Sequence, residues 1–264
     1  MKANHYYFKQ LFIVLLCLPS LILAQDTPTF FVQVTTMHWN LDDENFSFND
    51  WRDAEVEFHE KVIMQNEHIV SRTVLRHHFT DDSSEILFIT VYPSWMAIEQ
   101  AAERNEELFE AAWVDKAARD TYTKMRNRFY VPMHSDEIYK TIPGAKRLEE
   151  LDLPLFYYVR TSHFKFPEDE VENEFMTLLN TYNSIVTDNN DHYKAYYPQV
   201  HFYGADRTEF VEVFVTETLA ELEKGIEKQG SLYRAHWDTD EKKAAYNKVM
   251  NKYLSGTHRD RIYS

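Results

Sequence analysis

The chain has 264 residues, of which 44% are hydrophobic and 15% aromatic; five glycines are too few for a glycine-rich disordered chain, so packed cores are expected. Its formal charge of −15 repels nucleic acid and anionic lipid, which excludes nucleic-acid binding and polybasic membrane attachment. A single cysteine, Cys17, leaves no partner for a disulfide or a thiolate metal site.

The first 24 residues read as a secretory signal. Lys2 and Lys9 give a basic start, and Leu11 to Ala24 is an apolar stretch ending on a small residue. That stretch is shorter than the roughly 20 residues a membrane span needs. An uncleaved anchor and a lipoprotein on Cys17 are the competing readings, the second weakened by Leu15 and Leu16 where small residues belong. Removal of residues 1–24 predicts a secreted or periplasmic protein with no cysteine and no transmembrane segment.

The aromatic and β-branched run Phe30–His38 predicts a strand. A helix follows from Asn49 to about Met64, with Trp51, Val56, Val62 and Ile63 on its buried side. Strands over Ile69–Phe79 and Glu85–Tyr92 flank the connector Asp81-Asp82-Ser83-Ser84, a hairpin signal. Ser94 caps the next helix. Another helix begins near Trp113 with the stripe Ala118, Tyr122, Met125 and Phe129, and His134–Tyr139 is a short extended piece. Pro143 to Pro154 reads as a linker.

The same order then recurs. Leu155–Phe164 is a strand, about Asp169 to Val186 a helix, and Tyr193–Tyr203 and Glu209–Thr216 a hairpin. Thr218 with Glu221 forms a capping box, a helix begins near Trp237, and His258–Tyr263 closes the chain. The recurrence is visible residue by residue. A shift of 124 superposes His77 on His201, Trp113 on Trp237, and His134-x-Asp136-x-Ile138-Tyr139 on His258-x-Asp260-x-Ile262-Tyr263. Upstream the shift is 125, which superposes Val34 on Val159 and His38 on His163. The organisation read from this is a signal over 1–24, a first repeat over 25–142, a linker over 143–154 and a second repeat over 155–264.

Each copy has the order βαββα(α)β of a ferredoxin-like unit, so the fold class is α+β. A tandem of such units resembles the dimeric α/β-barrel superfamily, in which two units join their sheets around a centre; here both would come from one chain as a pseudo-dimeric barrel. The resemblance is one of architecture and covers nearly all of the chain beyond the signal. Superfamily members include cofactor-independent oxygenases, isomerase-like and dehalogenase-like enzymes and haem-binding enzymes, so it selects neither an activity nor a cofactor.

Strand alternation divides the residues between two faces. Leu87, Ile89 and Val91, with Val211, Val213 and Val215, are aliphatic in both copies and are expected under the helices. On the opposite face, expected to line the barrel, copy two offers Tyr158, Arg160, His201, Tyr203 and Glu212 as a ligand site. His201 would act as acid or base, Arg160 would hold a carboxylate or enolate oxygen, and Glu212 would orient either. The competing reading makes Arg160 and Glu212 a structural ion pair. The paired histidines lack helical metal-ligand spacing, so no metal site is assigned. His134 with Asp136, and His258 with Asp260, are two apart on a strand and could pair.

The reading that follows is an exported protein of unknown activity that binds a small organic molecule in a barrel cavity. A cofactor-independent oxygenase or isomerase-like enzyme is one alternative. A non-catalytic interaction protein, its barrel filled by its own side chains, is the other. The sequence leaves the ligand and any further oligomerisation open.

Overall fold

The computed structural model describes residues 28–149 and 154–264; the predicted signal, residues 25–27 of the predicted first repeat and residues 150–153 of the predicted linker lie outside the described residues. Copy one runs β1 (Phe31–His38), α1 (Phe48–Lys61), β2 (Ser71–Phe79), β3 (Glu85–Tyr92), α2 (Trp95–Ala112), α3 (Lys116–Asn127) and β4 (Ser135–Thr141). Copy two runs β5 (Phe156–Phe164), α4 (Glu174–Tyr182), β6 (Ala195–Tyr203), β7 (Glu209–Thr216), α5 (Leu219–His236), α6 (Asp240–Tyr253) and β8 (Leu254–Tyr263). No helix among the described residues is long and apolar enough to cross a membrane.

Side-chain caps set most helix starts. Ser47, Ser94, Asp115, Thr218 and Thr239 each accept a hydrogen bond from the backbone N–H three residues on. Thr218 caps as the sequence predicts, but the Glu221 carboxylate bonds Lys224 and His192 instead of reaching back. Trp113 and Trp237 do not begin helices. They end α2 and α5, their N–H groups bonding the carbonyls of Phe109 and Tyr233, because the capping residues Asp115 and Thr239 come only two residues later. The fourth helix likewise begins later than predicted, after Asn173 takes the left-handed conformation at φ 61°.

The eight strands close into a barrel in the order β1-β3-β2-β8-β5-β7-β6-β4, antiparallel throughout. The copies meet along two pseudo-equivalent seams, β4 with β6 and β2 with β8. In one, Tyr139 sits opposite His201 and Ile138 opposite Tyr203; in the other, Tyr263 sits opposite His77 and Ile262 opposite Phe79. The repeated H-x-D-x-I-Y segment is therefore the strand that joins one copy to the next. Its tyrosines cross the joint: Tyr139 donates to Glu209 at 2.6 Å, and Tyr263 donates to the buried Glu85 at 2.7 Å. Beside the first seam, Gly204 at φ +140° leaves room for the Glu137 carboxylate, which accepts from the Ala205 N–H.

The two strand faces are the reverse of the sequence expectation. Val34, Ile89 and Leu87 of copy one pack with Val159 and Tyr157 of copy two, and Val32 and Tyr139 pack with Val211 and Val213. These clusters draw alternate residues from strands of both copies across the barrel, so the aliphatic face points inward. The opposite face lies under the helices: Phe88 and Ile86 pack with Trp51 and Ala54 of α1, and Phe214 and Tyr158 pack with Leu222 of α5. The physical reason is that this sheet is covered on both sides, so an apolar face does not announce which cover it meets. The centre is packed by branched aliphatic side chains together with the rings of Tyr139, Tyr157 and Tyr263.

Candidate functional site

A cavity of about 310 Å3 opens between the sheet and the helices of copy one. Alternate residues of β1 and β3 supply its floor, among them Gln33, Thr35, Phe88 and Thr90, and β2 adds Arg72. Phe58 of α1, Asn105 of α2 and Arg126 of α3 form the wall, with Tyr130 from the turn after α3.

Its chemistry centres on Glu55, which is 7% exposed. Arg126 grips this carboxylate with two bonds, Nε to Oε1 at 2.6 Å and Nη2 to Oε2 at 3.1 Å. Tyr130 donates to Oε1 at 2.8 Å, and Trp51 Nε1 donates to the Tyr130 hydroxyl at 2.7 Å. Burial opposes the Glu55 charge, but Arg126, with Arg72 and Tyr130, outweighs it and holds the carboxyl below its ordinary range. Burial, reinforced by the Glu55 charge, pushes the Tyr130 hydroxyl far up, so it stays protonated. Arg72 approaches Glu55 Oε2 only to 3.8 Å. Rings flank its guanidinium, Phe88 at 4.8 Å and Phe58 at 5.6 Å.

The corresponding place in copy two is closed by rings. By the repeat register Tyr158 replaces Gln33, Tyr193 replaces Ile69, Tyr196 replaces Arg72 and Phe214 replaces Thr90. Tyr193 and Tyr196 are fully buried against Phe214, each at 4.9 Å between ring centroids. On α5, Gly225 allows this packing, since a Cβ there would stand 2.5 Å from the Tyr193 ring.

Of the five sequence candidates, Tyr158, Arg160 and Glu212 come together in that layer and the other two do not. Arg160 donates to Tyr158 at 2.6 Å and to Asp260 at 3.1 Å, and Glu212 accepts from Tyr196 at 2.7 Å. Arg160 thus pairs with Asp260 of the repeated motif, not with Glu212. Burial raises the Glu212 carboxyl, and the Tyr196 bond and Arg160 do not restore it. His201 lies at the seam, its ring 6.4 Å from that of Tyr139, with Nε2 buried, not hydrogen-bonded, and 3.9 Å from the Glu137 carboxylate. Tyr203 is exposed. The barrel-cavity site therefore does not assemble, because strand parity sends Arg160 and His201 to opposite sides of the sheet.

The predicted pairing of His134 with Asp136 and of His258 with Asp260 is present, at 3.3 and 3.2 Å. His38 and His163 reach the hairpin carboxylates Asp82 and Asp206, each at 3.3 Å. Among the described residues no group of three His, Cys, Asp or Glu side chains is placed to hold a metal ion. Sequence reasoning missed Glu55, Arg72 and Arg126 altogether. Their signal was present: three charged residues fall on helix and strand positions whose counterparts in copy two, at the shift of 124, are Leu179, Tyr196 and Met250. It also missed Asn66 and Asn190, matched at the same shift, whose amides hold the backbone of α2 at Ala101 and of α5 at Gly225.

No family model matches the sequence, and no curated protein matches it. Solved structures do match the fold. A candidate monooxygenase from Fusobacterium nucleatum subsp. nucleatum superposes with a TM-score of 0.55 at 10% identity, over 89% of this chain and 92% of that one. A mutant chlorite dismutase from Candidatus Nitrospira defluvii superposes with a TM-score of 0.50 at 9% identity, over 91% of this chain and 93% of that one. The chain has the dimeric α/β-barrel fold, with both halves of the barrel on one polypeptide.

Proposed function

We propose that this is an exported protein, functional as residues 25–264, that binds a small organic molecule in the sheet–helix cavity of copy one. The observation carrying the reading is a cavity of about 310 Å3 whose wall combines aromatic side chains with buried arginine. Copy two supplies the other half of the barrel and a tyrosine-filled counterpart of the same layer. A cavity in the barrel centre is no part of the reading, since aliphatic side chains occupy that space.

The catalytic form of the proposal is a cofactor-independent oxygenase acting on the bound molecule. The description of the Fusobacterium protein as a candidate monooxygenase agrees with it, while the likeness itself speaks only for the fold. Native mass spectrometry of residues 25–264 tests the binding reading. Extra mass lost on denaturation supports it and gives the ligand's size. Oxygen uptake in the presence of that ligand, absent without it, then supports oxygenation; release of the ligand unchanged in air leaves a binding protein.

A further inference from the structure

We infer that the copy-one cavity takes a monoanion, an aromatic carboxylate, with the carboxylate on Arg72; this rests on that cavity being the ligand site. The argument begins with a charge count. Arg72 and Arg126 bring two positive charges and Glu55 one negative charge. Tyr130 stays protonated and so does Tyr92, raised by burial. His59 on α1 is held below its ordinary value by burial and by the charge of Arg72, which favours its neutral form. One positive charge is left over.

That charge belongs to Arg72. The Glu55 carboxylate is already taken by both arms of Arg126 and by Tyr130, whereas Arg72 stands 3.8 Å away, outside hydrogen-bonding distance. Among the described residues nothing accepts a hydrogen bond from Arg72, although its side chain is only 11% exposed. Its donors are not sealed in protein, so they open onto the cavity it lines. A buried guanidinium without an acceptor is costly, and a carboxylate is the planar acceptor that matches its fork.

The rest of the lining describes the body of the ligand. Phe58 and Phe88 hold the guanidinium between rings, and Met37, Ile63 and Ile69 continue an apolar wall suited to a flat ring. Gln33, Thr35, Thr90 and Asn105 add neutral polar groups for ring substituents. Asp136 is the opposing charge. It is tied to Gln33 and Thr35 and paired with His134, and its exposure lets solvent screen it.

The test is calorimetric titration of residues 25–264 with benzoate, 4-hydroxybenzoate and 2-naphthoate, and with the matching neutral amides. At least one acid should bind about tenfold more tightly than its amide or better. Arg72→Met should abolish that preference and keep or raise the melting temperature, because Glu55 retains Arg126. Asp136→Asn should tighten acid binding a fewfold. Equal binding of acids and amides, or undiminished acid binding by Arg72→Met, overturns the anion assignment and leaves the cavity reading standing. Unfolding of Arg72→Met would make Arg72 a structural partner of Glu55 and overturn it too. Failure of every probe at millimolar concentration overturns the aromatic-carboxylate assignment, while the cavity reading is decided by the native mass measurement.

Discussion

Glu55→Gln keeps the shape of the side chain and removes the negative charge between two buried arginines. Three hydrogen bonds depend on that charge, two from Arg126 and one from Tyr130. The amide offers one acceptor oxygen and turns an NH2 group toward guanidinium donors, so at least one arm of Arg126 loses its acceptor. Removing one partner of a buried ion pair costs about 3–5 kcal/mol. For a chain of this size that lowers the melting temperature by roughly 6–20 °C. Urea unfolding followed by tryptophan fluorescence measures it, with Trp51 reporting from inside the network.

The pH dependence adds a second arm. The Glu55 carboxyl is depressed on folding, so its stabilisation is present above the ordinary value of 4.5 and is lost as pH falls through the depressed value. The variant should therefore lose part of the acid limb of the parent's stability curve. A loss below about 1 kcal/mol at pH 7, the range of an exposed pair, would refute the closed network. So would an acid limb unchanged by the substitution.

Four further substitutions probe the rest of the molecule. Tyr263→Phe removes a hydrogen bond to the buried Glu85 and should cost about 1.5–3 kcal/mol in urea unfolding; Tyr139→Phe, whose acceptor Glu209 is only half-buried, should cost less, and equal losses would refute the role of burial. Gly225→Ala should destabilise by about 1–3 kcal/mol despite alanine's better helix propensity, because its Cβ meets the Tyr193 ring; a stabilised variant would show that this packing is loose. Glu212→Gln should be at least as stable as the parent at pH 7. The Glu212 carboxyl is raised on folding, so the parent loses stability as pH rises from 4.5 through the raised value, and the variant should lack that slope; a marked loss at pH 7 would mean that the carboxylate is ionised and paired.

Local physics was legible in the chain itself. The hairpin strands Glu85–Tyr92 and Glu209–Thr216 fall at their predicted bounds, since short polar connectors and β-branched runs are local signals. Ser94 and Thr218 cap the helices they were expected to cap. The matched residues of the two repeats imposed one unit twice, and the barrel follows from joining the pair. His77 and His201 recur because they occupy the same place opposite Tyr263 and Tyr139 at the two seams.

Tertiary structure alone decided which way each strand faces and which copy is open. Alternation separates Leu87, Ile89 and Val91 from Phe88 and Thr90, but both sets are at least partly buried, one in the barrel centre and one beneath helices. Nothing local distinguishes the two covers. The cavity is decided the same way, by volume across elements far apart in sequence. Glu55, Arg72 and Arg126 meet in copy one because the positions around them carry Gln33, Ile69 and Thr90. At the corresponding positions of copy two, Tyr158, Tyr193 and Phe214 fill the space that copy one leaves open.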